Sequence, residues 1–120
     1  MNKIAYQGSA FLIEWYFDDN AKSQAFEYYS ELTISEQKKA LALFRLMGER
    51  GVIRNVEKFN NEGDGIYAFK PQPDRFLCFF VKGKKIIVTN GFRKKARKLP
   101  PDEKQRALRY RDEYERQERG

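Results

Sequence analysis

The sequence predicts an α+β domain, in which a mostly antiparallel sheet carries two N-terminal helices packed on it and a C-terminal helix. Three observations predict this class. Apolar runs at residues 76–81 and 86–89 are joined by Lys-Gly-Lys-Lys at 82–85, which has the length and the glycine of a hairpin turn. Residues 33–36 read Thr-x-x-Glu, the spacing of a capping box that opens a helix. Residues 102–118 are highly charged with a narrow apolar stripe, as expected of an amphipathic helix.

The N-terminal half predicts one strand followed by two helices. Residues 11–17 are rich in aromatic and β-branched side chains and indicate a strand. Asp and Asn at residues 18–20 supply turn and cap chemistry, so a short helix is expected over about 20–31. The capping box then opens a second helix, which Gly48 or Gly51 can end in a left-handed conformation. We expect these helices to cover a sheet behind a single edge strand.

The C-terminal half predicts three strands and the last helix. Asn and Gly at residues 60–65 indicate a turn, and the strand at 66–70 is ended by Pro71 and Pro73, which cannot donate to a ladder. The hairpin follows, and prolines at 100–101 signal a helix start. The predicted order is β-α-α-β-β-β-α, in a single domain formed by all 120 residues.

The positive charge of the chain is concentrated in one third of it. The formal net charge is +7, and residues 65–101 hold ten Lys or Arg residues against one acidic residue, Asp74. Concentrated charge of one sign repels itself, and its usual compensating partner is a polyanion such as nucleic acid. The alternative interpretation is a solubilising face.

Composition excludes several function classes. The chain has no His and a single Cys, which excludes imidazole catalysis, His-ligated metals and structural zinc. Its acidic residues are not clustered as in two-metal nucleases, and it lacks a glycine-rich phosphate loop, so we predict no metal and no cofactor. Cys78 is expected to be a buried strand thiol. No run is apolar enough for a membrane helix, and residues 1–9 do not resemble a secretory signal, which favours the cytoplasm.

Four cations are the candidate catalytic residues. Lys70 ends one strand, Arg75 opens the next, and Lys94 and Lys95 follow the last strand. An antiparallel hairpin brings the start of one strand beside the end of the other, so these cations should surround one spot. Such a cluster would bind a phosphodiester and stabilise the extra charge of its transition state, and crowding would lower a lysine pKa and make it a proton carrier. The alternatives are an ion pair of Arg75 with Asp74 or with a helix carboxylate, and a solvated turn for the lysines.

The same segments resemble a known family. They comprise a strand at 65–70, a strand at 74–77, the motif F-x-K-K-x-x-K-x-P at 92–100, and a last helix with Ala107, Tyr110, Arg111 and Tyr114. This pattern is similar to that of the RelE/ParE toxin superfamily, and most similar to its HigB-like, phage-derived branch. The resemblance covers nearly the whole chain, including the upstream strand and two helices.

The resemblance implies a toxin of a type II toxin–antitoxin system, held inactive by an antitoxin, often a helix-turn-helix protein encoded by the adjacent gene. RelE and HigB members cut mRNA on the ribosome without a metal, by attack of a ribose 2′-OH on the adjacent phosphate. Arg75 matches the strand arginine expected to stabilise the transition state, and Lys94 and Lys95 match the paired lysines. The family's Glu-x-Arg strand here carries Ala68 and Lys70. The alternative is therefore a non-catalytic phage or mobile-element protein that blocks a host factor, as ParE relatives act on gyrase.

Further residues are predicted to contact RNA. The remaining cations of the basic segments are Lys82, Lys84, Lys85, Arg93, Arg97 and Lys98. Lys58 lies at a position that is often basic in the family, and Tyr110 is an aromatic side chain that could stack on a base. Tyr67 and Tyr114 are weighed with Tyr110 as stacking residues. For all three tyrosines the alternative is a place in the hydrophobic core.

Overall fold

The chain forms a six-stranded sheet with helices on both faces. The computed structural model describes residues 2–120, so Met1 of the predicted domain lies outside the described part. The elements in chain order are β1 (Ile4–Gln7), β2 (Leu12–Trp15), α1 (Gln24–Ser30), α2 (Ile34–Arg50), β3 (Phe59–Gly63), β4 (Ile66–Phe69), β5 (Asp74–Val81), β6 (Lys85–Arg93) and α3 (Pro101–Arg119). The strand order is β1-β2-β6-β5-β4-β3. Only β2 and β6 pair in parallel, and the other neighbouring strands are antiparallel.

The α+β class and the mostly antiparallel sheet are confirmed, whereas the predicted element order omitted two strands. β1 precedes the predicted first strand, so β2 is not an edge strand. β3 occupies part of the segment for which the sequence predicts a turn, and the turn itself is only Asp64-Gly65. Both missed strands are short sheet edges, where few apolar side chains are needed and the alternating pattern is therefore weak.

Local chemistry fixes the helix ends. The amide of Glu36 donates to Thr33 Oγ1 at 3.2 Å and the amide of Thr33 donates to Glu36 Oε1 at 3.0 Å, so the predicted capping box is present. Gly51, with φ +78°, ends α2, while Gly48 lies inside the helix. α1 starts later than predicted because its N-cap is Ser23, whose Oγ accepts from the amide of Phe26 at 3.1 Å.

Each face of the sheet has its own hydrophobic core. α1 and α2 cover one face, where Trp15, Phe44 and Phe76 pack together. This confirms the predicted position of the two N-terminal helices. α3 covers the other face through Ala107 and Tyr114, which pack in a cluster with strand residues of that face. The ends of the central strands β5 and β6 therefore emerge between two helical layers.

A β-bulge in β6 determines whether each of the last residues of this strand faces the α1–α2 layer or α3. Leu77 pairs with Asn90 and Cys78 with Val88, so Thr89 is an extra residue on β6. The Thr89 hydroxyl lies 3.2 Å from the carbonyl of Leu77 and 2.6 Å from Asn90 Oδ1. The alternation of side chains shifts by one residue beyond this point. Phe92 consequently packs on the α3 side, and the following residue, Arg93, reaches Glu36 on the α2 side.

We expect Gly91→Ala to destabilise the fold by about 1–3 kcal/mol, because Gly91 lies against two aromatic rings. A Cβ at this position would be 2.8 Å from a ring carbon of Phe76 and 2.8 Å from one of Tyr28. Denaturant unfolding of the variant would measure the loss. Gly120→Ala is the control, because its Cβ would meet its nearest neighbour at an ordinary 3.5 Å. Equal stability of the two variants would contradict the packing argument.

Candidate active site

One hollow collects the catalytic candidates at the end of the central hairpin. We call it the cationic hollow, and it is lined by Glu62, Lys70, Arg75, Phe92, Lys94, Lys95, Ala96, Arg97, Lys98, Leu99 and Pro100. Lys70, Arg75, Lys94 and Lys95 thus lie together, as the hairpin argument predicts. The hollow is narrow, since about 30 Å³ of it admits water-sized groups, which is space for about two waters. Phosphate oxygens are small enough to enter such a space.

Backbone pairing places the two strand cations. Arg75 is the second residue of β5 and pairs with Phe92. Lys70 follows β4, where its amide donates to the carbonyl of Lys58 at 2.8 Å. The Lys70 ammonium donates to the carbonyl of Val56 at 3.2 Å, which fixes the direction of the side chain. Both cations are half-buried at the same end of the sheet, where β4 ends and β5 begins.

Arg75 is not held by an ion pair. Its Nη1 donates to Gln72 Oε1 and to the carbonyl of Asp74, both at 3.2 Å, and both acceptors are neutral. None of the ion pairs formed among residues 2–120 includes Arg75. The alternative interpretation of Arg75 as the partner of Asp74 or of a helix carboxylate is therefore wrong. Its positive charge is available to an anionic ligand.

Arg93, and not Arg75, is the cation that pairs with Asp74. Asp74 is 0% exposed and accepts a hydrogen bond from the Tyr28 hydroxyl. Arg93 Nη2 lies 3.6 Å from Asp74 Oδ1 and 2.7 Å from Glu36 Oε2. Burial, and then the bond to Asp74, raises the pKa of Tyr28. Arg93 therefore lies outside the cationic hollow on the α1–α2 side, and its contact with RNA stays a prediction.

Burial is the main influence on the two half-buried cations of the hollow. It lowers the pKa of Lys70, and the positive charges of Arg75 and Lys94 lower it further, while Glu62 and Glu57 oppose the change. Burial also lowers the pKa of Arg75, and Glu62 and Asp74 oppose it. From the sequence, crowding of like charges is the expected cause of a lowered lysine pKa. Crowding contributes, but desolvation contributes more.

The remaining cations of the hollow come from the segment between β6 and α3. The amide of Lys94 donates to the carbonyl of Pro73 at 2.9 Å, which ties the start of this segment to the β4–β5 loop. The four cations of this segment are exposed to solvent while also lining the hollow, and they are Lys94, Lys95, Arg97 and Lys98. Leu99 packs against the core beneath α3 and anchors the other end.

Other predicted RNA contacts lie elsewhere. Lys82, Lys84 and Lys85 are at the turn end of the hairpin, about 20 Å along β5 from Arg75. Lys85 also pairs with Glu14 at 3.6 Å. Lys58 is exposed beside Lys70 but does not line the hollow. These four lysines could contact an RNA only if they bound it at a surface separate from the hollow, or if the RNA strand extended from the hollow to them.

The three tyrosines weighed as stacking residues pack within the protein. The ring of Tyr110 lies 5.1 Å from that of Tyr16, and Tyr114 is buried in the core beneath α3. The ring of Tyr67 is stacked on Phe59 at 5.6 Å. Tyr110 lies on α3, outside the hollow, and it packs against the core as the alternative interpretation predicts.

Glu62 is the lining residue that the sequence reasoning missed. The Asn and Gly residues at 60–65 predict a turn, whereas β3 runs from Phe59 to Gly63 and carries Glu62. A signal for the strand was present in Asp64-Gly65, since Asp-Gly is a strong hairpin-turn sequence. Both residues have positive φ, 58° and 79°, as a type I′ turn requires. Recognition of this turn would have placed strands on both sides of it.

Among residues 2–120, no three His, Cys, Asp or Glu side chains are grouped so that they could hold a metal ion. Within the same range no helix combines the length and the apolar character needed to cross a membrane.

Comparison with known proteins identifies the family. Residues 27–112 match the family model of Phage derived protein Gp49-like (DUF891). No curated protein matches the chain. The matched region begins in α1, ends in α3 and includes every residue of the cationic hollow. Because the match covers well over half of the chain, this protein belongs to the Gp49-like family of phage-derived proteins, which is a RelE-like, toxin-like family.

Proposed function

We propose that this protein is the toxin of a type II toxin–antitoxin system, a HigB/RelE-type endoribonuclease that cuts mRNA on the translating ribosome in the cytoplasm and needs no metal. The observation that carries the proposal is the convergence of Lys70, Arg75, Lys94 and Lys95 on one narrow hollow. Membership of a toxin-like, phage-derived family supports it. Arg75 takes part in none of the ion pairs formed among residues 2–120, which supports the binding of an anionic ligand there.

The reaction would follow from the charges of the hollow. The ribose 2′-hydroxyl gives its proton to a base as its oxygen attacks the adjacent phosphorus, the bond from phosphorus to the 5′-oxygen breaks, and the products carry a 2′,3′-cyclic phosphate and a 5′-hydroxyl. Arg75 stabilises the additional negative charge on the phosphoryl oxygens, and Lys94 and Lys95 hold the phosphate. Lys70 donates a proton to the departing 5′-oxygen, which its lowered pKa favours.

Induction of the protein in bacteria, with mapping of mRNA 5′ ends, tests the proposal. We expect new 5′ ends within translated regions, and none when Arg75→Ala is induced to the same level. Unchanged ends, or identical growth effects of parent and variant, would reject the endoribonuclease.

An antitoxin with an acidic segment is the partner that the hollow predicts. Six cations line it against one carboxylate, so a segment bearing Asp and Glu would be attracted to it and would exclude RNA. We propose that this partner is a helix-turn-helix protein encoded by the adjacent gene. Its co-expression should abolish toxicity, and toxicity that is unaffected by the product of the neighbouring reading frame would contradict this part of the proposal.

One observation favours a second candidate, a non-catalytic protein that binds and inhibits a host factor. Ala68, where the family pattern has a glutamate, is 0% exposed in the core beneath α3, so β4 brings no carboxylate to the hollow from this position. Binding depends on charge and not on proton transfer. The second candidate therefore predicts that Lys94→Arg keeps full toxicity with unchanged mRNA 5′ ends, and a large loss of toxicity in that variant would argue against it.

A further inference from the structure

Glu62 occupies an unusual position for a carboxylate. Among the described residues 2–120, it is the one acidic side chain that lines the cationic hollow. None of the ion pairs formed within that range includes it, although six Lys and Arg residues line the same space. Glu62 is also close enough to oppose the effect of burial on Lys70 and Arg75. Glu62 therefore contributes its negative charge to the hollow without forming an ion pair with any of the residues 2–120.

The backbone of β3 is locally rearranged at this residue. Asn61 pairs with Tyr67 and Gly63 with Ile66, so Glu62 is the extra residue of a β-bulge. Asn61 Oδ1 accepts from the amide of Gly63 at 2.8 Å, and Gly63 has φ +93°, a conformation that suits glycine. Bulges re-aim a side chain relative to the regular alternation of a strand. Here the bulge accompanies a carboxylate that lines the hollow.

The other lining groups leave few alternatives for a proton acceptor. Phe92, Ala96, Leu99 and Pro100 offer no side-chain base. The other lining side chains are cations from three elements, namely Lys70 at the end of β4, Arg75 on β5, and Lys94, Lys95, Arg97 and Lys98 from the segment after β6. Lys104 of α3 approaches β3 as well, but it is paired with Asp64 at 2.9 Å. Cations cannot accept a proton, whereas an ionised carboxylate can.

We propose that Glu62 is the general base of this enzyme, accepting the proton of the attacking ribose 2′-hydroxyl. The inference rests on the proposed function. As the bond from the 2′-oxygen to phosphorus forms, the proton passes to a carboxylate oxygen of Glu62. As the bond to the 5′-oxygen breaks, Lys70 supplies a proton to the leaving oxygen. One proton enters and one leaves the enzyme, so solvent exchange restores both groups after each turnover.

The test compares Glu62→Gln with Glu57→Gln in single-turnover cleavage of mRNA on ribosomes. Both variants remove one negative charge that acts on Lys70, but Glu57 does not line the hollow. We expect Glu62→Gln to cleave at least about 100-fold more slowly, and Glu62→Asp, which keeps the carboxylate, to recover part of the lost rate. Glu57→Gln should stay within about threefold of the parent.

Two further measurements separate a chemical role from a structural one. Binding of a 2′-deoxy-substituted mRNA should be as tight or tighter in Glu62→Gln, since a negative charge has been removed, and the unfolding midpoint should match that of the parent. Cleavage by Glu62→Gln within about threefold of the parent, or a Glu62→Asp variant that is no faster than Glu62→Gln, would overturn the role of Glu62 while leaving the endoribonuclease intact. A parent protein that cleaves no RNA, or an Arg75→Ala variant as active as the parent, would remove the proposed function and this inference with it.

Discussion

Replacement of Arg75 with alanine is expected to slow mRNA cleavage by about 100–1,000-fold, the usual cost of removing one preorganised group that stabilises transition-state charge. The guanidinium is half-buried, donates to two neutral acceptors and takes part in none of the ion pairs formed among residues 2–120. The guanidinium is therefore oriented before the substrate arrives, and no ion pair among the described residues competes with the substrate phosphate for it. Single-turnover cleavage on ribosomes measures the rate directly.

Lys82→Ala is the matched control for this prediction. It removes the same charge from the same hairpin, but about 20 Å away at the turn end. It should weaken RNA binding slightly, in a manner that depends on salt, and leave the rate of the bound complex unchanged. Arg75→Lys should recover only part of the rate, because lysine keeps the charge but lacks the planar donor arrangement. Equal rates for Arg75→Ala and Lys82→Ala would show that Arg75 contributes only general attraction.

Lys70→Arg is expected to slow cleavage by about 100-fold while preserving RNA binding. The substitution keeps the positive charge, but an arginine side chain does not release its proton at accessible pH. Burial lowers the pKa of Lys70, and a proton donor must be protonated to act. The parent rate should therefore fall as the pH rises through the lowered pKa of Lys70, earlier than for an ordinary lysine, and Lys70→Arg should lack this fall.

Lys58→Arg is the control for that experiment. Lys58 is exposed next to Lys70 along the backbone pairing, yet it does not line the hollow. Its rate and pH profile should match those of the parent. If Lys70→Arg cleaved as fast as the parent with the same alkaline limb, Lys70 would serve only to attract the phosphate, and the proton of the leaving group would come from water.

The predictable parts of the fold are those that local chemistry determines. The capping box at Thr33 and the left-handed Gly51 both lie where the sequence indicates. The β5–β6 hairpin has enough β-branched and aromatic side chains to be evident without any tertiary information. Because an antiparallel hairpin has fixed geometry, the proximity of Arg75 and Lys94 could be predicted from it.

The parts that could not be predicted depend on contacts between distant segments. β1 and β3 are short edges, and their pairing with β2 and β4 decides their conformation more than their composition does. The parallel pairing of β2 with β6 joins residues more than seventy positions apart and has no local sequence signal. The same holds for Glu62, since its place in the hollow depends on a bulge and on the position of an edge strand.

Thr89 has a consequence for the comparison of this chain with its relatives. Since one additional residue in β6 reverses the alternation that follows it, the side chain at position 92 faces α3 and the one at 93 faces α2. A homologue one residue shorter at this point would exchange those two directions without any change in its basic motif. Sequence alignments of such proteins should therefore be judged by strand length as well as by matching lysines and arginines, because a shared motif letter can correspond to opposite sides of the sheet.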